Sequence, residues 1–447
     1  MGRVSLLSGS LTVYRRRHFR FVLCVVVLFL AVLATCQAQT PDVRRGLELT
    51  PLDEIEAALR TDGVLTNAAV LGTDLTSICA NLRASGSLPP EVFLLNTVVY
   101  GDLLLSRLGA SSSISAEEEK YWLGDELPWI REGASVTRVE IPVGLLNCSV
   151  TGALILGDGV VYSAGVMIRN CDLASVAGLR LMLLGGLSFW QCRIGPGSVE
   201  VTQTLAMGRV DLLDVSVGSM LDVSGCVFGD WFRVRNSVVE GEALLLQNRY
   251  LGFTDLAHTQ FLGVVDTSWS EFYGHISLDG CRFVGGAHLA MARFWEQEKR
   301  IEMFRLAYRG WEAVGDRRFA DQYYRQYRRL LRKTKPFVLR AVETVFLDWS
   351  SGYGTSWMRV LASWLCVILL STLAFWIGAG IIDERTGERS KSLWRSLYFS
   401  IVTFTTLGYG DYRPRAGLFR AIATVTAMLG AILVAILVLV FSRAAMR

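Results

Sequence analysis

The chain has 447 residues, a formal net charge of +4, 51% hydrophobic residues and nine cysteines. That length calls for at least two folding units, and the apolar share fits a protein that sits partly in a membrane. A balance this close to neutral gives no electrostatic footprint for a nucleic-acid partner, and none is expected.

The chain opens with Arg15 to Arg20 (RRRHFR), fourteen apolar residues from Phe21 to Ala34, and then Cys36 and Ala38 in a cleavage-like arrangement. Length and flanks predict a secretory signal peptide over 1–38, since a spanning helix needs about 20 apolar residues. Leu33-Ala34-Thr35-Cys36 also faintly resembles a lipoprotein box, with Thr35 a poor fit. Residues 39–136 form an N-terminal region of mixed character. Within it Thr97, Val99, Gly101, Leu103 and Leu105 read as an isolated early repeat, and Ala110 to Trp129 as an insertion.

From 137 to 294 the cysteines themselves reveal a pattern. Cys148, Cys171, Cys192, Cys226 and Cys281 each lie two residues before an apolar one, Val150, Leu173, Ile194, Phe228 and Phe283. These apolar positions belong to a period of eleven, clearest at Phe228, Val239, Tyr250, Phe261, Phe272, Phe283 and Phe294, with Gly241, Gly252, Gly263, Gly274 and Gly285 each two residues after an anchor. Upstream, Val217, Ala206, Ile194, Leu183, Leu173, Tyr162, Val150 and Val139 continue it with slips of one residue. A period built from a six-step and a five-step does not suit a flat sheet; it suits a square β-solenoid whose faces each advance about five residues.

The pattern resembles the pentapeptide-repeat family. The resemblance implies an all-β, right-handed solenoid in which the large residue and the small residue two before it both point inward. The small positions hold Cys226, Ser237, Asn248, Thr259, Ser270 and Cys281. The cysteines are therefore expected as stacked small core residues rather than metal ligands or disulfides, a buried thiol behaving as a small hydrophobe. His258, His275 and His288 fall at different outward phases, and no metal-binding or serine-elbow motif accompanies them, so neither an enzyme activity nor a cofactor is expected. Arg138 to Arg293 carries ten Arg against fourteen Asp plus Glu, too mild an excess for a nucleic-acid mimic. A scaffold or interaction surface for an unknown ligand or protein is the expected role.

Residues 295–358 form a basic helical connector, with thirteen Lys plus Arg against eight Asp plus Glu from Trp295 to Met358. Helical spacing in Phe304, Ala307 and Trp311, then in Phe319, Tyr323, Tyr327 and Leu330, predicts two helices with a turn at Gly315-Asp316. Pro336 ends the second, a shorter helix runs to Asp348, and Ser350 to Gly354 form a glycine-rich joint. The run Arg325 to Lys335 (RQYRRLLRKTK) either lies against anionic headgroups or is the wet face of a helix.

Residues 359–447 contain two uncharged apolar runs, Val360 to Ile382 and Ala421 to Phe441, each long enough to cross a bilayer as a helix. Between them Leu393 to Thr405 has helix length and leads into Thr405 to Asp411 (TTLGYGD). Ser396 to Asp411 closely resembles the filter segment of two-transmembrane-helix potassium channels, and the resemblance covers about 90 residues, Val360 to Arg447. It implies an outer helix (360–382), a pore helix (393–405), a filter (406–410) and an inner helix (421–441), assembled as a homotetramer around one axis in the lipid bilayer of the cell membrane. Carbonyls of Thr406, Leu407, Gly408 and Tyr409, with Gly410 completing the filter, would replace the hydration shell of potassium, the one metal expected.

For those carbonyls to converge, alternate residues must take left-handed dihedrals, which Gly408 and Gly410 supply at little cost. The same resemblance gives Thr405, Asp411, Tyr398 and Phe399 supporting roles around the filter, and aims the negative end of the pore-helix dipole at the ion. Gly430, 19 residues after Asp411, is either a gating hinge or a small residue at a helix contact. No arginine ladder precedes the pore, so voltage sensing of the usual kind is not expected and gating input falls to the N-terminal portion.

Topology carries two readings. Ordinary two-helix potassium channels keep the preceding chain in the cytoplasm, whereas a working signal peptide would place the solenoid extracytoplasmically, a plan resembling bacterial glutamate-receptor-like channels. Seven Lys plus Arg lie between the helices against four in the flanks, which favours the inverted plan, while the basic connector pulls the other way. The expected function is a potassium-selective tetrameric channel modulated by its solenoid. The alternative is a membrane-anchored solenoid scaffold with a vestigial or weakly selective pore.

Overall fold

In the computed structural model the described residues are 49–115, 127, 129–415 and 417–445. The signal peptide expected over 1–38, and residues 116–126 and 128 of the expected insertion, lie outside them.

The eleven-residue period is half of a 22-residue coil. Parallel pairing sets Val210 against Phe232, Phe232 against Thr254 and Thr254 against Ile276, each 22 positions on. Neighbouring anchors therefore fall on opposite sides of the coil: Phe228, Tyr250 and Phe272 stack in one sheet, Val239, Phe261 and Phe283 in another. Two sheets of nine strands and one of fifteen build the walls. The fifteen-stranded sheet forks after Asp172–Leu179, one branch continuing through Arg193–Ile194 and the other through Val199–Thr202. Beyond the fork a coil thus has four sides, the square section that the two unequal steps of the repeat require.

Inside, the rings of Phe228, Tyr250, Phe272 and Phe294 form one stack with centroids 5.1, 4.6 and 4.9 Å apart and planes within 10°. The small inward positions do more than leave room for them. Several backbone N–H groups at a corner are met by the side chain one coil on: Val215 N–H donates to Ser237 Oγ (3.0 Å), Cys226 N–H to Asn248 Oδ1 (2.7 Å) and Asn248 N–H to Ser270 Oγ (3.1 Å). Cysteine occupies the same station, Cys148 N–H pointing at Cys171 Sγ (3.3 Å). Cys148, Cys171, Cys192, Cys226 and Cys281 are free and buried, and burial pushes the thiols of Cys226 and Cys281 up to about 12.

Two corners turn through left-handed residues. One is the column Asn67, Asn96, Asn147, Asn170, Gln191, Asp214, Asn236 and His258, with φ between 50 and 57°. Asparagine visits this region more readily than other side chains, and here it gains a ladder: Asn96 Nδ2 donates to Asn67 Oδ1 (3.2 Å), Asn147 to Asn96 (3.1 Å) and Asn170 to Asn147 (2.8 Å).

The coil begins at Val64–Thr66, not at 137, because Val64 pairs with Phe93 and Val92 with Val143. The early repeat at Thr97 to Leu105 is not isolated either: Val98–Tyr100 and Leu103–Leu104 pair with Ser149–Asp158. Two intrusions hid the period there, the helix Gly72–Ala84 (α2) and the excursion after Leu105–Leu108. With Leu52–Thr61 (α1), α2 closes the N-terminal end, burying Ile55, Leu59, Leu75 and Leu82 in the common core.

The connector forms the helices expected of it and caps the other end. Helix α3 (Gln297–Val314) lies on the last coil, Trp311 donating Nε1–H to Ala287 O (2.8 Å). Gly310 sits so close to Phe283 O that a Cβ would stand 2.1 Å from it. Gly315 turns in the left-handed region (φ 85°), and Asp316 caps α4 (Arg317–Lys333) by accepting from Arg318 and Phe319 N–H. The chain continues as α5 (Phe337–Glu343) and a π-helical turn, Thr344–Trp349.

Last come α6 (Trp357–Ile377), α7 (Leu393–Phe404) and α8 (Leu418–Ala445). Helices α6 and α8 are long and apolar enough to cross a membrane. The first ends at Ile377 rather than 382, because Gly378 and Gly380 receive the ring of Phe419 and Ala379 takes a left-handed φ of 43°. Ile381–Asp383 then joins Arg389–Ser390 and Tyr412–Pro414 in a small antiparallel sheet.

Candidate functional site

Helix α7 is held between the two long helices. Phe399 meets Phe375 of α6 edge to face at 5.0 Å, and Phe404 meets Trp364 at 5.6 Å. Its last turn rests on α8 at Gly430, where a Cβ would lie 2.0 Å from Phe404 O. Gly430 thus stands at a close helix contact. Phe399 turns toward α6, whereas Tyr398 faces Tyr412 of the small sheet at 6.0 Å.

From this support the chain leaves as Thr405 to Asp411. Thr405, Thr406 and Leu407 still donate N–H to Ile401 O, Thr403 O and Val402 O (2.9, 3.2 and 3.1 Å). Beyond them the backbone alternates: Thr406, Gly408 and Gly410 have φ of 55, 58 and 78°, while Leu407 and Tyr409 do not enter the left-handed region. The two glycines were legible in advance. Thr406 was not, since a β-branched residue there costs roughly 1–2 kcal/mol and no sequence signal announces it. Among the described residues no hydrogen bond reaches the carbonyls of Thr406 to Gly410. The loop is exposed on a single chain, Leu407 at 60% and Tyr409 at 67%.

The far end is anchored. Asp411 O accepts from Glu384 N–H (3.1 Å), Asp411 Oδ1 accepts from Tyr412 N–H (3.1 Å), and Arg413 pairs with Glu384 (2.9 Å). A run of five residues with unengaged carbonyls is thus fixed at one end by a helix terminus and at the other by a sheet. Chemically it offers a row of neutral backbone oxygen donors.

Residues 357–447 match the model of a family described as ion channel. Two pore potassium channel a of Oryza sativa subsp. japonica is 35% identical over 71 residues, 16% of this chain and 20% of that protein. Two-pore potassium channel 1 of Arabidopsis thaliana is 34% identical over 76 residues, 17% of this chain and 20% of that protein. The chain therefore spans about a fifth of the length of these curated relatives. No solved structure matches it.

Between the solenoid and α6, a set of ion pairs that the sequence did not foretell ties α4 and the turn after it to α5 and its π-helical turn. Asp348 accepts from Arg329 (2.8 Å) and Arg332 (2.9 Å), and Glu343 from Arg328 (3.3 Å) and Lys335 (2.6 Å). The basic run of α4 is therefore turned largely onto α5 and its π-helical turn, rather than simply onto water. Burial alone would push the Asp348 carboxyl up, yet the bonds from Arg329 and Arg332 outweigh it and hold it below the usual carboxylate range. Arg325 Nη1 adds a bond to Thr355 Oγ1 (2.9 Å), at the doorstep of α6. The three expected outward histidines have structural partners or stations: His275 bonds Glu296 (3.0 Å), His288 sits between Trp311 and Phe319, and His258 turns a corner.

Proposed function

We propose that the protein is a potassium-selective channel in which four copies bring their Thr406 to Gly410 carbonyls around one axis. The observation that carries this reading is the alternation of handedness at Thr406, Gly408 and Gly410, with the loop carbonyls unbonded among the described residues, inside a stretch that matches an ion-channel family. Stripping water from a cation demands replacement oxygens already oriented, and a loop whose carbonyls were spent on internal bonds would not supply them. Exposure of Leu407 and Tyr409 fits a loop completed by neighbouring copies, with Thr405 and Asp411 as its fixed ends. Gly430, lodged against Phe404 O, is the pivot about which α8 opens or closes the pore. The solenoid, placed extracytoplasmically, modulates that motion through α4 and its ion pairs to Glu343 and Asp348.

Purified protein in liposomes tests the proposal directly. Potassium flux that barium blocks and sodium does not replace is the expected result, with protease added outside reporting which face carries the solenoid. Absence of flux in either orientation would move the reading to a solenoid scaffold with a vestigial pore.

A further inference from the structure

The helical segment that leads into the first span is built inside out. Its acidic residues are hidden, Glu343 at 7% and Asp348 at 5% exposure, while Phe337, Val338 and Trp349 stand 78, 70 and 70% exposed. Val342 and Val345 continue the bare apolar side at 49 and 47%. In water the opposite arrangement is the stable one, and contiguous exposed apolar surface of this kind marks a contact face. The segment cannot roll over to bury it, because Glu343 and Asp348 are tied to Arg328, Arg329 and Arg332 of α4 and to Lys335 just beyond it.

Its occupant follows from continuity. The span α6 opens at Trp357, eight positions after Trp349, and its first turn exposes Trp357 and Met358 at 48 and 59%. Tryptophan concentrates where headgroups meet acyl chains, and a helix with one apolar and one charged side lies in that plane. We propose that Phe337–Trp349 is an interfacial helix whose apolar side is seated in lipid, with α4 clamped on its water side. This rests on the membrane reading of α6 and α8 and adds to it a lipid-anchored joint through which the solenoid is attached.

The test is independent of ion flux. Nitroxide labels are placed at Val342→Cys and, separately, Val345→Cys in the full chain, with Cys24, Cys36 and the exposed Cys366 replaced by alanine, and the protein is reconstituted in phosphatidylcholine vesicles. Collisions with dissolved oxygen and with a water-soluble nickel chelate are compared with those at a label on the span (Leu369→Cys) and one on the solenoid surface (Asp279→Cys). The expected result is a ratio of oxygen to nickel access several-fold above that of Asp279→Cys and approaching that of Leu369→Cys. Nickel access equal to Asp279→Cys would overturn the proposal in favour of water. Suppressed access to both reagents, with spin–spin broadening from a neighbouring copy, would overturn it in favour of a protein contact. A non-conducting preparation with labels in lipid would sink the channel reading alone.

Discussion

The solenoid and the loop from Thr406 to Gly410 treat the same obligation, the pairing of backbone groups, in opposite ways. In the solenoid each coil pairs with those on either side, and corner N–H groups left over are met by Ser237, Asn248 and Ser270. The loop from Thr406 to Gly410 holds its carbonyls unbonded among the described residues, at the cost of a left-handed threonine. One region is complete within a single chain. The other is not, and backbone capacity left unmet in a strained, well-anchored segment points to binding.

That contrast can be broken. Phe261→Ala opens a cavity in a residue with no exposed surface, packed edge to face on Phe283 at 5.7 Å, and is expected to destabilise the solenoid by roughly 3–5 kcal/mol in denaturant unfolding followed by circular dichroism. The ion preference of reconstituted protein should stay unchanged, and a joint loss would mean the two regions do not fold independently. Gly408→Ala should do the reverse. A Cβ there meets nothing within 4 Å, so only its φ of 58° is penalised, and potassium over sodium preference measured by flux should fall about tenfold or more, roughly 1.4 kcal/mol, with solenoid stability untouched. Unchanged preference would refute the filter assignment.

The boundary between the two regions has its own signature in pH. The Asp348 carboxyl is held below the ordinary range of an unfolded aspartate, so its contribution is fully present above that range and is lost as pH falls through the lowered folded value. Protection of the amides in 337–349 against hydrogen exchange, expressed relative to the intrinsic rate at each pH, should therefore stay constant from neutrality to about pH 5 and fall only under stronger acid, and Asp348→Asn should lower it at neutral pH. Smallest is Asn170→Gly, which keeps the left-handed corner and removes one rung of the asparagine ladder (2.8 Å); it should cost under about 1 kcal/mol, whereas Asn170→Ala should cost more because the corner itself is then penalised.

Much of this was legible because repetition and motif are both redundant signals. Seven aromatic or apolar anchors spaced by eleven leave little doubt of a solenoid, yet eleven is not the coil. Neighbouring anchors such as Phe261 and Phe272 serve different walls of the same kind, so the sequence repeats twice for each turn in space. The first coils were missed because α2 interrupts the register between Ala69–Leu71 and Val92–Leu95. In the pore region the motif marked Gly408 and Gly410, but not Thr406, whose side chain disfavours the conformation its neighbours impose. The sheet joining Ile381–Asp383 to Tyr412–Pro414 escaped for a different reason: strands of two or three residues carry no periodicity, and the apolar Ile381-Ile382 read as the end of a helix.

A 22-residue coil also makes the solenoid a spacer that can be cut to length. Because Phe232 pairs with Thr254 and Thr254 with Ile276 in constant register, deleting one full coil would shorten the stack by the distance between neighbouring strands, about 4.8 Å, and deliver α3 to its seat in the same orientation. Deleting eleven residues would present the opposite wall to α3 instead, turning everything beyond it by about half a revolution around the stack. Lineages that gain or lose reach between the distal end and the membrane are thereby steered toward changes in whole coils, and the eleven-residue unit, though visible in the sequence, is not the unit in which the molecule can grow.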